Sequence, residues 1–432
     1  MNNVKNGRRA VVVDGLRTPF IKAFTDFTQL DSIALGVAAT RALLQKTNLG
    51  QREIDSIVWG GVILPSASPN VGREIALDLK LDPACEAMTV TRACASGLQA
   101  VTLAAAAIER GEADVVIAGG SDSTSNAEIK LPQKVVHALA PLALGKPDPQ
   151  AVLRALGKLA PFTDIWPTQP KIAERSTGEV MGEAAEKMAR RNGISREEQD
   201  AFAVQSHHRA AAAITSGRFD SEVRPVETPS GKWVHGDGLV RADTNEEKLA
   251  KLRPVFAKDG TVTAGNASPL TDGAAAVLLM SEEKARSLGY RPKAAFSSWA
   301  YVGVDPADQL LMGPALAIPK ALERAGLTLA DMDFVDLHEA FAAQVLCVLK
   351  MLGSAAFAAE RLGKNKAVGD VDPSRLNVFG GSIALGHPFG ATGARMVTTM
   401  ANELERTGKE RAILGICAAG GLGAAAILEA VG

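Results

Sequence analysis

The chain has 432 residues, 47% hydrophobic and only 4% aromatic, with 41 glycines and a formal net charge of −1. That length accommodates two or three domains around a large core. Few stacking faces and a near-zero charge argue against a nucleic-acid partner.

In chain order, Arg8-Arg9 leads into an apolar run, 10–13, that ends at Asp14. It is too short for a signal-peptide core, and no later apolar stretch reaches membrane-spanning length. Further short apolar runs at 57–59, 115–118, 274–279, 334–337, 412–416 and 424–428 read as strands. Their unbroken hydrophobicity suits burial on both faces. Longer helical patterns alternate with them, which predicts an α/β protein. Ser195-Arg-Glu-Glu198 and Thr328-Leu-Ala-Asp331 have the form of capping boxes that open helices. Cys85, Cys94, Cys347 and Cys417 are far apart, with no CxxC pair. Reduced thiols and a cytoplasmic location fit that pattern.

Cys94 stands in Thr91-Arg92-Ala93-Cys94-Ala95-Ser96-Gly97, just ahead of an alanine-rich helical run, 98–110. A helix start aims unpaired N–H groups at the sulfur, which favours thiolate over thiol. Gly97 leaves room for a large substrate. Free cysteine is also often a plain core residue, so a partner base is required.

Residues 121–255 differ in texture, with few strands and frequent Pro, Lys, Ser and Asp. They read as an insertion over a substrate site. Leu131, Val135, Leu139 and Leu142 repeat at helical spacing beside Lys130, Lys134 and Lys146. Val152, Leu153, Leu156 and Leu159 follow, with Arg154 and Lys158. Such helices serve either as a lid or as a docking surface for a protein or membrane.

Of six histidines, His207 and His208 lie in a polar helical stretch and are expected in solvent, while His235 lies in a Gly-rich loop and is expected to carry no chemistry. His338 lies in Asp336-Leu337-His338-Glu339-Ala340-Phe341, at a strand end, where α/β folds place functional groups. His387 lies in a run from Phe379 to Gly393 that holds five other landmarks of close packing, the glycines 380, 381, 386, 390 and 393. A histidine held there is a candidate base. Cys417 ends a strand and precedes Ala418-Ala419-Gly420-Gly421, a turn whose N–H groups suit an oxyanion.

The two ends of the chain resemble each other. Gly97 opens a helix that leads to strand 113–118, and Gly390-Ala391-Thr392-Gly393 opens one that leads to strand 412–416. Two homologous halves packed face to face are expected. Two cysteines and a histidine on mirrored elements suggest covalent acyl transfer, with zinc binding by the same three as the rival.

These residues resemble the thiolases over essentially the whole chain. The matching segments include Gly15-Leu16-Arg17-Thr18-Pro19-Phe20, the Cys94 block, Gly119-Gly120-Ser121-Asp122, Met181-Gly182, Thr263-Ala264-Gly265-Asn266-Ala267-Ser268, His338-Glu339-Ala340-Phe341 and the His387 and Cys417 blocks. The resemblance implies two βαβαβαββ halves in a five-layered α-β-α-β-α sandwich with an inserted loop domain. The corresponding division is 1–120, 121–255, 256–285 and 286–432. It implies catalytic Cys94, His387, Cys417 and His338, and an oxyanion site from the N–H groups of Cys94 and Ala419. Ser268, Arg241, Met181 and Phe341 would contact substrate or CoA, with CoA as co-substrate, no permanent cofactor and no metal. It also implies a homodimer.

Many thiolases have Asn at the place of His338, Gly at that of Ala419 and His at that of Val180. The His-Glu-Ala-Phe and Cys-Ala-Ala-Gly-Gly forms are similar to the β-subunit of the fatty-acid β-oxidation complex. That likeness implies 3-ketoacyl-CoA thiolysis and an α-subunit carrying hydratase and 3-hydroxyacyl-CoA dehydrogenase activities. It also implies that segment 127–176 shapes the acyl tunnel and meets the partner or a membrane. Biosynthetic acetoacetyl-CoA thiolase is the alternative.

Overall fold

A computed structural model describes residues 7–50, 52–145, 148–157, 159 and 173–431. The first half comprises β1 (Ala10–Arg17), β2 (Ile21–Lys22), α1 (Ser32–Thr47), β3 (Ser56–Gly60), α2 (Val71–Asp78), β4 (Glu86–Val90), α3 (Ser96–Arg110) and β5 (Val115–Ser123). After α4 (Gln133–Leu144) and α5 (Pro149–Leu156) come α6 (Met181–Asn192), α7 (Arg196–Thr215), β6 (Val226–Glu227), β7 (Trp233–Val234) and α8 (Glu246–Ala250). Strand β8 (Thr271–Ser281) closes the half, and α9 (Glu282–Ser287) links it to the next. The second half runs through β9 (Ala294–Gly303), α10 (Gly313–Ala325), β10 (Phe334–Leu337), α11 (Ala342–Leu352), α12 (Ala355–Phe357), α13 (Ser382–Leu385), α14 (Phe389–Thr407), β11 (Arg411–Ala418) and β12 (Leu422–Ala430).

Every expected strand is present, and among the described residues two more are longer than two residues. Strand β9 escapes the apolar-run criterion because Ser297 and Ser298 interrupt it; Ser298 is buried and donates its hydroxyl to Ala321 O at 2.7 Å. Strand β4 is an edge strand, none of whose residues is fully buried. The Ser195 box does open a helix, accepting from Glu198 N–H while Glu198 accepts from Ser195 N–H. The Thr328 box caps only a single 3-10 turn, Leu329–Asp331.

One ten-stranded sheet runs in the order β10-β11-β12-β9-β1-β8-β5-β3-β4, with β2 beside β8. Its halves join through a short antiparallel contact, Val11↔Ala295 and Val12↔Ala294. Side-chain alternation along the strands sorts the core into layers. Ile57, Trp59 and Ile117 face Leu35, Leu43 and Ile75 of α1 and α2. Val58, Val116 and Val277 face inward onto α3 and α14, which also receive Leu414, Ile416 and Ala426 from the second half. Ile413, Ile427 and Val335 face α10 and α11. The result is α-β-α-β-α. Each buried Leu, Ile or Val contributes on the order of 2 kcal/mol of transfer free energy.

The first half follows βαβαβαββ. In the second, the third strand is reduced to one parallel bridge, Val335↔Leu376. Asn377 replaces its ladder: Oδ1 accepts Leu337 N–H at 2.7 Å and Nδ2 donates to Leu337 O at 2.9 Å. Where α3 meets α14 the backbones touch. A Cβ on Gly97 would lie 2.2 Å from Gly390 O, and one on Gly393 would lie 2.2 Å from Leu98 N.

Residues Ala127–Ala173 form a separate compact unit in which α4 packs on α5. Residues 174–255, which share the texture assigned to the insertion, are compact with the two halves, and β5 extends past residue 121 to Ser123. Within the small unit Ile129, Leu131 and Leu153 are exposed, at 68%, 49% and 71%. Lys146 and Lys158 lie outside the described residues. Among the described residues no single helix is long and apolar enough to cross a membrane.

Candidate active site

Cys94 sits on a tight turn between β4 and α3. Ala93 takes a left-handed φ of 45°, a conformation that costs an alanine about 1 kcal/mol. Ser96 holds the turn, accepting Arg92 N–H at 2.7 Å and donating to Ala93 O at 2.6 Å. The residue is half-buried, but its sulfur lies deep, and burial pushes the thiol up to about 12. The N–H groups of Ala419 and of Cys94 itself bond the sulfur and pull the other way; Asp122 adds to the rise. The expectation of a favoured thiolate is therefore overturned, because desolvation outweighs the N–H groups at the helix start.

Asp122, at the end of β5, is buried and accepts from Val62 N–H at 3.0 Å, Ile63 N–H at 2.6 Å and Gly390 N–H at 2.7 Å. It stitches the loop after β3 to the start of α14. Burial raises its carboxyl to about 6, against the pull of those three N–H groups.

His387 follows Gly386, whose φ of 102° and contact with Thr271 require glycine. Its N–H donates to Thr271 Oγ1 at 3.0 Å, and its Nδ1 bonds Thr392 Oγ1 at 2.7 Å. His338 follows β10; its N–H donates to Gly415 O at 2.8 Å and its Nδ1 bonds Ser382 Oγ at 3.0 Å. The two rings lie 4.1 Å apart, and both Nε2 atoms are buried without a hydrogen-bond partner. One donor atom from each of Cys94, His338 and His387 lies within 4.8 Å of the other two. Burial lowers His387 to about 3, with Arg395 adding to the effect. His338 falls well below the usual range through burial, then His387 and Arg395. Both rings are thus neutral near pH 7.

Cys417 lies near the end of β11, before a turn in which Gly420 and Gly421 take φ of 83° and 65°. Burial raises its thiol well above the usual range, and charge on Cys94 raises it further. The two sulfurs therefore belong to one site. The four side chains singled out from sequence, and the N–H groups of Cys94 and Ala419, converge there.

Sequence reasoning missed what holds them. Glu339 is buried beneath His338 and accepts from Ser206 Oγ at 2.6 Å, Asn377 Nδ2 at 2.7 Å and Ile383 N–H at 3.2 Å. It ties α7, the Asn377 turn and α13 together. Asp336 and Arg395 form a buried pair at 3.5 Å. The available signal was a carboxylate on either side of His338.

A cleft of about 510 Å³ lies beside this site, lined among others by Lys22, Phe24, His207, Arg241, Phe256 and Ser268. Leu270 in its wall bridges to His387. Arg241 and Ser268 are therefore in the cleft. Met181 and Phe341 are not in its lining; Met181 packs on the core with Phe256, and the Phe341 ring meets that of Phe256 edge-on at 6.1 Å. His207 is not in solvent as expected. The inward face of α7 buries it, its Nδ1 accepts Arg241 N–H at 3.2 Å, and burial lowers it to about 4. His208 and His235 are exposed.

Two family models match: thiolase N-terminal domain over residues 10–283 and thiolase C-terminal domain over 290–430. The 3-ketoacyl-CoA thiolase of Shewanella amazonensis is 44% identical over 427 residues, covering 98% of this chain and 97% of that protein. The crystal structure of human mitochondrial 3-ketoacyl-CoA thiolase in complex with CoA superposes with a TM-score of 0.84 at 33% identity, over 98% of each chain. The Bacillus anthracis acetyl-CoA acetyltransferase gives 0.82 at 33% identity, over 98% of this chain and 99% of that one. The chain belongs to the thiolase family.

Proposed function

We propose that this chain is a 3-ketoacyl-CoA thiolase, an acetyl-CoA C-acyltransferase of fatty-acid β-oxidation. The observation that carries this reading is the meeting of Cys94, His387, His338 and Cys417 beside the cleft that holds Ser268 and Arg241. Cys94 Sγ attacks the 3-keto carbonyl and its proton passes to His387 Nε2. The carbon–carbon bond breaks, and Cys417 protonates the departing carbanion to give acetyl-CoA. Cys417, now a thiolate, takes the proton of incoming CoA. The CoA thiolate attacks the acyl-Cys94 thioester, and His387 returns its proton to Cys94.

The resting charges suit this cycle. A thiol raised to about 12 beside an imidazole lowered to about 3 stays neutral until substrate arrives. Charge then develops on an oxygen rather than on sulfur, where preorganised donors stabilise it most. One oxyanion site uses the N–H groups of Cys94 and Ala419; the other uses His387 and a water held by His338. Arg241 and Ser268 hold CoA, with Met181 and Phe341 backing the cleft wall through Phe256. CoA is a co-substrate, and no permanent cofactor is required.

The enzyme works in the cytoplasm as a homodimer, within an α2β2 complex whose α-subunit supplies hydratase and 3-hydroxyacyl-CoA dehydrogenase activities. The segment 127–176 offers exposed Ile129, Leu131 and Leu153 to that partner or to a membrane surface.

The second reading is a biosynthetic acetyl-CoA acetyltransferase, favoured by the likeness to the Bacillus anthracis structure. Thiolysis of four-carbon and sixteen-carbon 3-oxoacyl-CoA separates the two. Turnover of both chain lengths is expected, and turnover confined to four carbons overturns the degradative reading.

A further inference from the structure

We propose that Cys94, His338 and His387 form a binding site for a soft divalent cation of the zinc type, and that its occupancy silences Cys94. Their donor atoms already lie within 4.8 Å of one another. A tetrahedral zinc, with Zn–S about 2.3 Å and Zn–N about 2.0–2.1 Å, sets its ligands about 3.4 Å apart. The three donors need to close by at most about 1.4 Å on binding.

Both Nε2 atoms are buried and lack any protein partner. Each Nδ1 is held by a hydroxyl, Ser382 Oγ for His338 and Thr392 Oγ1 for His387. Outer bonds of this kind fix the ring and tautomer of histidines that ligate metals. His338 supplies the third donor; an asparagine in its place would leave one thiol and one imidazole. The neighbouring charges act in opposite senses. Asp122 faces Cys94 and favours a cation, whereas Arg395 acts on both histidines and opposes one, though its pairing with Asp336 offsets part of that.

Binding is a proton exchange without redox change. The Cys94 S–H bond breaks, a sulfur–metal bond forms, and one proton leaves to solvent. Three protein ligands leave a fourth position for water. The sulfur so held no longer attacks a carbonyl. Neutral histidines need lose no proton to bind.

Cobalt(II) is the probe, because a bound thiolate gives it a charge-transfer band in the near ultraviolet. One equivalent per chain should produce that band, and zinc(II) should displace it and protect Cys94 from iodoacetamide. Cys94→Ala should abolish the band, and His338→Asn should weaken cobalt affinity by at least about tenfold. Cys94→Ala removes one sulfur atom only, so it decides the matter should His338→Asn fold poorly. An unchanged band in Cys94→Ala, unchanged affinity in a folded His338→Asn, or no binding up to about 1 mM would overturn the proposal. None of these readouts depends on thiolysis, so the site stands or falls separately from the assigned reaction.

Discussion

The protonation of two side chains governs how this site reacts. An exposed cysteine–histidine ion pair would show a low thiol pKa and a plateau of reactivity near neutrality. Here burial pushes Cys94 up to about 12 and His387 down to about 3. The sign follows directly: a raised thiol pKa leaves less thiolate at any pH below it, and a lowered imidazole pKa leaves no cation to stabilise that thiolate. The rate of Cys94 alkylation by iodoacetamide should therefore climb about tenfold per unit from about pH 6 to 10, with no plateau. A plateau below about pH 7 would mean that an ion pair is already formed. The four side chains that converge were legible because glycines, helix starts and strand ends mark them. The direction of the Cys94 shift was not, since local sequence shows the N–H groups of α3 but not the depth of the sulfur. Asp122 and Glu339 were also hidden, because they bond partners remote in sequence, Gly390 and Ser206.

At the scale of elements, the site depends on two helices whose glycine-bearing first turns meet backbone to backbone. Gly97 on α3 and Gly390 on α14 touch through backbone, just beyond Cys94 and His387. Adding a methyl at Gly97 places it 2.2 Å from Gly390 O and 3.0 Å from Ala394 N, both backbone atoms that rotamer changes do not relieve. Gly97→Ala should destabilise the chain by about 1–3 kcal/mol or more and lower kcat as α14 shifts the His387–Thr392 pair. Urea denaturation with parallel thiolysis assays checks both; wild-type stability would show that the helices part freely. Paired Gly-containing helix starts at the two ends of the sequence announced this arrangement. The weaker elements were not announced. Strand β9 hides behind two serines, and the third strand of the second half survives as one bridge because Asn377 takes over the hydrogen bonds of its neighbour.

Across the whole sheet the halves are continuous, and among the described residues its strand order ends at β10 and β4. Unpaired edges invite pairing and are usually covered. The β10 edge is closed by the Leu376 bridge and by Asn377, which bonds both polar groups of Leu337. Strand β4 has β3 on one side only, and Met88 on it is 43% exposed. An apolar side chain on an uncovered edge fits a surface that a second copy would cover, so the homodimer proposed above is expected to use this edge. In that arrangement a carboxylate at Met88 would be carried into the contact without a partner for its charge, which opposes association. Met88→Asp should shift the mass seen by light scattering from dimer toward monomer, without changing the circular dichroism of the fold. A dimer that persists unchanged would put the subunit contact on another face of the molecule.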